Sequence, residues 1–203
     1  MLLSNTKIRE ALTDGRLSIE PNAHCTFDTT AVNLTLGPII QVPHKKYPTA
    51  VTVGEGNLIH FLNDSSERHE LTAAQPFRLE PNQFVLAGTF EVVTLLRETH
   101  RKDAWDARPI LAARVEGKSS YARLGVLVHF TAPTIHNGFS GVIALEVMNC
   151  GPYPITLSLR KPICQLLIEE VVGIPDLHES QFQGQTIPAG NSSAHQWIRP
   201  TNS

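Results

Sequence analysis

From Phe77 to Val171 the chain is a run of short apolar, β-prone stretches cut by Gly, Pro and Asn turns, which limits the folds open to it. The stretches at 91–96, 110–115, 125–130, 141–148, 155–159 and 163–171 are rich in Val, Ile, Leu and Phe. Phe77-Arg78-Leu79, the turn Glu80-Pro81-Asn82 and Phe84-Val85-Leu86 carry hairpin chemistry. Many short strands with such turns predict an all-β sandwich or barrel. Two helical pieces are expected beside them. Residues 4–14 offer Ser4 as a cap, Ile8, Ala11 and Leu12 on one face, and Gly15 as a stop. Residues 57–62 repeat Leu58, Ile59 and Leu62 at helical spacing.

With 203 residues, one domain with long loops is expected, and 41% hydrophobic against 18% charged residues is enough for a real core. A net charge of -2 argues against a nucleic-acid or membrane partner, both of which favour a strongly basic face. It leaves room for a small anion held by a few local cations. Cys25, Cys150 and Cys164 are too irregularly spaced for a disulfide framework or a tetrahedral zinc site, and read as buried thiols in a reducing compartment. Met1-Leu2-Leu3 runs directly into polar residues and no apolar run reaches membrane-spanning length, so a cytoplasmic protein without a signal peptide is expected. Residues 97–109 are charged and lack strand alternation. From Gly184 onward Gln, Gly, Pro, Asn and Ser dominate, so both regions are expected to be mobile.

One acid interrupts an apolar strand. In Val142-Ile143-Ala144-Leu145-Glu146-Val147-Met148, alternate side chains fall on opposite faces, and both faces are apolar except at Glu146. This predicts a strand buried on both sides with the carboxylate enclosed. Burial raises a carboxylate pKa toward the range useful to a general base. A glutamate at a solvated sheet edge, or one paired with a lysine, fits the same pattern.

Glu116-Gly117-Lys118-Ser119-Ser120 gathers a glycine, two hydroxyls, backbone amides and an ammonium, groups suited to phosphate oxygens. It lacks the first glycine of a Walker loop, and a strand rather than a helix is expected after it. As a bare motif, Gly-Lys-Ser-Ser is also common in solvated turns. Arg123 is either a surface charge or a fixed donor for a carboxylate, a water or a phosphate. His129 reads as a hydrogen-bonded core histidine rather than a metal ligand.

Together these residues resemble the dCTP deaminase branch of the dUTPase superfamily. The most specific match is Gly117-Lys118-Ser119-Ser120, continuing through Ala122-Arg123-Leu124-Gly125. Thr131-Ala132, Gly138-Phe139-Ser140-Gly141 and Glu146 join it. Residues 1–4 and 14–19 resemble the family's opening helix and turn, 30–37 its first core strand, and 181–185 its closing segment. The resemblance implies a distorted, jelly-roll-like β-barrel with a short N-terminal helix, assembled as a homotrimer with nucleotide sites between subunits. It implies one domain over 1–183 and a flexible C-terminal lid over 184–203.

By the same resemblance, dCTP is hydrolysed to dUTP and ammonia without zinc. The H-x-E and P-C-x-x-C signature of zinc deaminases is absent from the sequence. Glu146 would be the general base, with Ser119 and Arg123 positioning water and steadying the tetrahedral intermediate. Lys118, Ser119 and Ser120 would hold the triphosphate, with Mg²⁺ bridging its oxygens and no metal ligand from the protein. Thr131 and Ala132 would face the base, and His136, Gln181 and Gln185 would complete the nucleotide site. Three residues depart from the family pattern. His136 and Asn33 stand where relatives often carry aspartate, and Gln181 where many carry lysine. They point to one alternative, a nucleotide-binding trimer with little or no catalysis; the Gly-Lys-Ser-Ser turn and the shared superfamily fold point to another, a dUTP diphosphatase or bifunctional dUMP-forming deaminase, against which His136 counts.

Overall fold

The structure is a computed structural model that describes residues 1–22, 25–44, 58–96, 109–173, 175–176, 178 and 180–191. The first half of the chain gives α1 (Asn5–Thr13), β1 (Leu17–Glu20), β2 (Thr26–Phe27), β3 (Val32–Pro43), α2 (Leu58–Asp64), β4 (Ser66–Glu70), β5 (Phe77–Leu79) and β6 (Phe84–Leu95). The second gives β7 (Ile110–Gly117), α3 (Ser119–Ala122), β8 (Val126–Leu127), β9 (Thr134–Ile135), β10 (Ser140–Asn149), β11 (Ile155–Leu157) and β12 (Pro162–Val171). The main sheet is antiparallel and ordered β8-β10-β6-β3-β12-β7-β9, with β1 on β6 and both β2 and β4 on β3. This is the expected mostly-β architecture, curled into a half-barrel.

The curl originates where β3 crosses β6. Register breaks between Leu36 and Ile40 on β3, and again between Val142 and Ala144 on β10, and such bulges bend a strand and increase its twist. Gly37 permits the crossing, since a Cβ there would lie 2.8 Å from the Thr89 carbonyl oxygen. The Thr89 hydroxyl donates to the Glu91 carbonyl at 2.7 Å and accepts from the Ile143 amide at 2.9 Å. The Glu91 side chain, only 1% exposed, accepts from the Thr35 amide at 2.8 Å and the Thr35 hydroxyl at 2.6 Å. A buried carboxylate needs such donors, and here they also tie β6 to β3.

Inside the curl, Ile143, Leu145 and Val147 of β10 pack with Val85, Ala87, Val93 and Leu95 of β6 and Leu34, Leu36 and Ile40 of β3. Each such aliphatic side chain stabilises by roughly 1.5–3 kcal/mol on burial. The helix α1 closes one end. Ser4 caps it by accepting from the Lys7 amide, Ile8 and Ala11 are buried, and Gly15 follows at φ 78°, as the sequence predicts. The predicted helix at 57–62 is α2, from Leu58; Asn57 lies outside the described residues.

Three expectations are corrected. The 77–86 hairpin does not form: β5 pairs with β11, whereas β6 joins the main sheet. The turn itself is present, with Gln83 donating its amide to Glu80 O and Asn82 at φ 60°, but the Asn82 amide donates to Asn149 O and diverts the chain. Of the strand expected at 125–130, only Val126–Leu127 is paired. The cysteines are not uniformly buried: Cys164 is, Cys25 is half-buried and Cys150 is exposed.

Desolvation, helped by the charge of Glu91, pushes the Cys164 thiol up to about 12 and the Cys25 thiol to about 11. The thiolate is the reactive form. Iodoacetamide at pH 8 is therefore expected to alkylate Cys150 while leaving Cys164 intact in the folded protein, read by peptide mass; modification of Cys164 first would contradict this placement.

Most of the region expected to be mobile at 97–109 lies outside the described residues; Pro109 is described, and its carbonyl accepts from Arg16 Nη1 at 3.2 Å. Residues 184–191 of the expected tail lie along the start of β10. Gln185 O accepts from the Val142 amide at 3.0 Å, and Gln185 Nε2 donates to Val142 O at 2.7 Å. Farther along, the Ala189 amide donates to Gln41 Oε1 and Gly190 O accepts from Asn63 Nδ2. Residues 192–203 of that tail lie outside the described residues.

Candidate active site

The strand β10 carries the acid. Its inward face, Ile143, Leu145 and Val147, is buried, whereas Val142, Ala144, Glu146 and Met148 are half-buried. The expected enclosure of Glu146 is thus corrected for the single chain, because no second layer of the described chain seals that part of the sheet. The ladder sets what surrounds the carboxylate. Glu146 lies opposite Leu86 and Met148 opposite Phe84 on β6, so Phe84 and Glu146 share a face one step apart.

A pocket of about 310 Å³ opens there, lined by Phe84, Phe130, Thr131, Ala132 and Glu146. Three residues singled out in the sequence therefore meet in it. Phe130 and Phe84 pack edge to face with ring centroids 5.8 Å apart, and Phe130 remains 46% exposed. Thr131 and Ala132 lie between β8 and β9, where their backbone groups form no hydrogen bond among the described residues. Unused amide and carbonyl groups beside an apolar wall can read the edge of a planar polar ring. The two phenylalanines had no signal in sequence beyond their apolarity, because a cross-strand register and a loop bring them together.

The basic turn is built differently from its expectation. Lys118 is extended, and then Ser119–Ala122 forms one helical turn, α3, rather than a strand. The Arg123 amide closes it on Ser119 O at 3.2 Å. Tyr121 anchors the turn by donating its hydroxyl to Pro162 O at 2.8 Å, which leaves Ser119, Ser120 and Arg123 facing solvent. Lys118 Nζ donates to Asn33 Oδ1. None of Lys118, Ser119, Ser120 or Arg123 lines the Glu146 pocket of its own chain. Among the described residues neither Glu146 nor Arg123 has a side-chain hydrogen bond or ion pair, so both are free to act on a ligand.

His136 is exposed in the turn between β9 and β10, and Gln181 is half-buried ahead of the strap at 184–191; neither lines the pocket. Gln185 is buried against β10. His129 is half-buried with Nε2 3.8 Å from Glu116. Among the described residues no group of His, Cys, Asp or Glu is placed to hold a metal ion. The amides, hydroxyls and ammonium around Lys118 suit phosphate oxygens.

By fold the protein is of the mostly-β class, a curled antiparallel sheet. A crystal structure of 2′-deoxycytidine 5′-triphosphate deaminase from Agrobacterium tumefaciens shares that fold with a TM-score of 0.60 at 18% identity over 84% of this chain. This chain spans about half, 48%, of that one. The family model for dCTP deaminase-like proteins matches residues 2–171, and the chain belongs to that family. Curated relatives named "dCTP deaminase, dUMP-forming" include one from Leifsonia xyli, 34% identical over 95% of this chain and 90% of its own. Another from Mycolicibacterium paratuberculosis is 34% identical over 99% of this chain and 100% of its own.

Proposed function

We propose that the protein hydrolyses the 4-amino group of dCTP and that the nucleotide leaves as dUMP. The observation that carries the reading is the meeting of Glu146, Thr131 and Ala132 in one pocket of a dCTP deaminase-like chain. The sequence alone suggested dUTP as product. The relatives' names support the bifunctional alternative instead.

In this reading the pyrimidine lies against Phe84 and Phe130, with its polar edge on the backbone of Thr131 and Ala132. Glu146 takes a proton from the water that adds to C4 and passes it to N3. The amine then leaves as ammonia with a second proton, restoring the carbonyl. The first step is dCTP + H₂O → dUTP + NH₃. In the second, water cleaves the bond between the α- and β-phosphates, giving dUMP and pyrophosphate. Mg²⁺ carried on the phosphates would offset their charge.

Ser119 and Arg123 act on the intermediate from a second copy of the chain, because they do not line the Glu146 pocket of their own. A closed homotrimer would supply that copy and would cover the exposed Leu124, Leu127 and Phe130 near the pocket. Lys118 and Ser120 then hold the triphosphate. For Gln185 to reach a phosphate as part of a lid, the strap has to lift from β10 and release Val142.

The test is product analysis after incubation with dCTP and Mg²⁺. Ammonia, dUMP and pyrophosphate are expected in equal amounts. Accumulation of dUTP without pyrophosphate would restore the simple deaminase, and the absence of any turnover would leave the nucleotide-binding trimer.

A further inference from the structure

A second pocket, about 370 Å³, opens between β2, β3 and the turn into β12, lined by Thr26, Asn33, Thr35, Arg160, Lys161 and Pro162. It shares no residue with the Glu146 pocket. Two cations stand in its wall. The Arg160 amide donates to Leu36 O, and Lys161 O accepts from the Leu36 amide, so β3 fixes both residues by their backbones. The Arg160 guanidinium lies 4.2 Å from the centroid of the Phe90 ring, which orients it without cancelling its charge. Among the described residues neither cation has a carboxylate partner.

Asn33 brings a third cation to the rim. Its Nδ2 donates to Thr26 Oγ1 at 3.0 Å and to Asp28 Oδ2 at 3.2 Å, which leaves Oδ1 to accept from Lys118 Nζ. A neutral acceptor holds the ammonium and leaves its charge available. Two acids lie nearby, each hydrogen-bonded to neutral donors, against the three cations. Asp28 also accepts from Gln165 Nε2, and Glu91 accepts both donors of Thr35.

We propose that this pocket binds polyphosphate, with Arg160 and Lys161 pairing with phosphate oxygens and Asn33 positioning Lys118 at the entrance. The proposal rests on reading Lys118 as a phosphate ligand. The polyphosphate has two possible sources: the tail of the nucleotide being turned over, or a separate nucleoside triphosphate.

Inorganic tripolyphosphate is the probe, titrated calorimetrically into the full-length protein at low and moderate salt. The double variant Arg160→Gln/Lys161→Gln should bind it roughly a hundredfold more weakly, about tenfold for each of the two lost charge-assisted contacts. Asn33→Asp keeps an acceptor for Lys118 but neutralises it, and should weaken binding by the scale of one such contact and flatten the salt dependence. A rise in KM for dCTP at constant kcat in the double variant assigns the pocket to the substrate's tail. An unchanged KM alongside lost tripolyphosphate binding assigns it to a separate ligand. Tripolyphosphate affinity that is absent in the wild type, or unaltered in a double variant with wild-type thermal unfolding, overturns the proposal. Because this readout needs no turnover, it stays distinct from any failure of the deaminase reading.

Discussion

Glu146→Gln is expected to suppress ammonia release from dCTP by on the order of 10²–10⁴-fold, the usual contribution of a general base. The amide keeps the size and the hydrogen-bonding reach of the carboxylate but cannot accept the water's proton. The half-buried position of Glu146, without an internal partner among the described residues, implies that the fold does not depend on its charge. Thermal unfolding and oligomer size of the variant should therefore match the wild type, and dCTP should still bind. A coupled ammonia assay under saturating dCTP, run beside size-exclusion chromatography, checks both parts. Turnover within a few-fold of wild type would remove Glu146 from the chemistry and with it the role of the pocket.

Gly151→Ala should be strongly destabilising. A Cβ at Gly151 would lie 1.9 Å from Leu124 O, and one at Gly125, where φ is 86°, would lie 2.4 Å from the Gly151 amide nitrogen. These glycines let the segment leaving α3 pass against the end of β10. Cys150 donates its amide to Gly125 O at 2.7 Å there, and the Gly151 amide donates to Asn149 Oδ1 at 3.0 Å. The crowded atoms are backbone and cannot rotate away, so a cost of about 3 kcal/mol is expected. In a chain of this size that lowers Tm by roughly 6–12 °C. Gly173→Ala is the control. It has φ 88° but nothing within 4 Å, so only a conformational cost of about 1 kcal/mol applies. Circular dichroism melts of the two variants decide, and equal small shifts would mean that the two segments do not cross so closely. Because this contact lies between the arginine turn and the acid's strand, Gly151→Ala should also depress turnover at temperatures where it remains folded.

Elements governed by neighbours in sequence were legible from it. The helix α1 announced itself through Ser4, Ile8, Ala11 and Gly15, since capping and helical periodicity act within a few residues. The alternation in β10 located a strand with one odd acid, and the resemblance around Gly117–Gly125 supplied the family. The hairpin at 77–86 failed for the opposite reason. Its turn formed as written, but a turn sets only direction, whereas β5 found its partner in β11, far along the chain. The one-turn helix after Lys118 was missed because its anchor is Tyr121 on Pro162, a contact of separation 41.

By itself, then, the sequence determined the strand-rich class, the capped helix, the family and the place of one acid in an apolar strand, because each is written in local pattern or in a motif. Only the tertiary structure decided that Phe84 and Phe130 stand beside that acid, that the acid's face stays half-open in one chain, and that Lys118 belongs with Asn33 rather than with Glu146. Those placements depend on ladder register and on the bulged crossing of β3 over β6. Register is fixed by contacts between residues that no local periodicity connects.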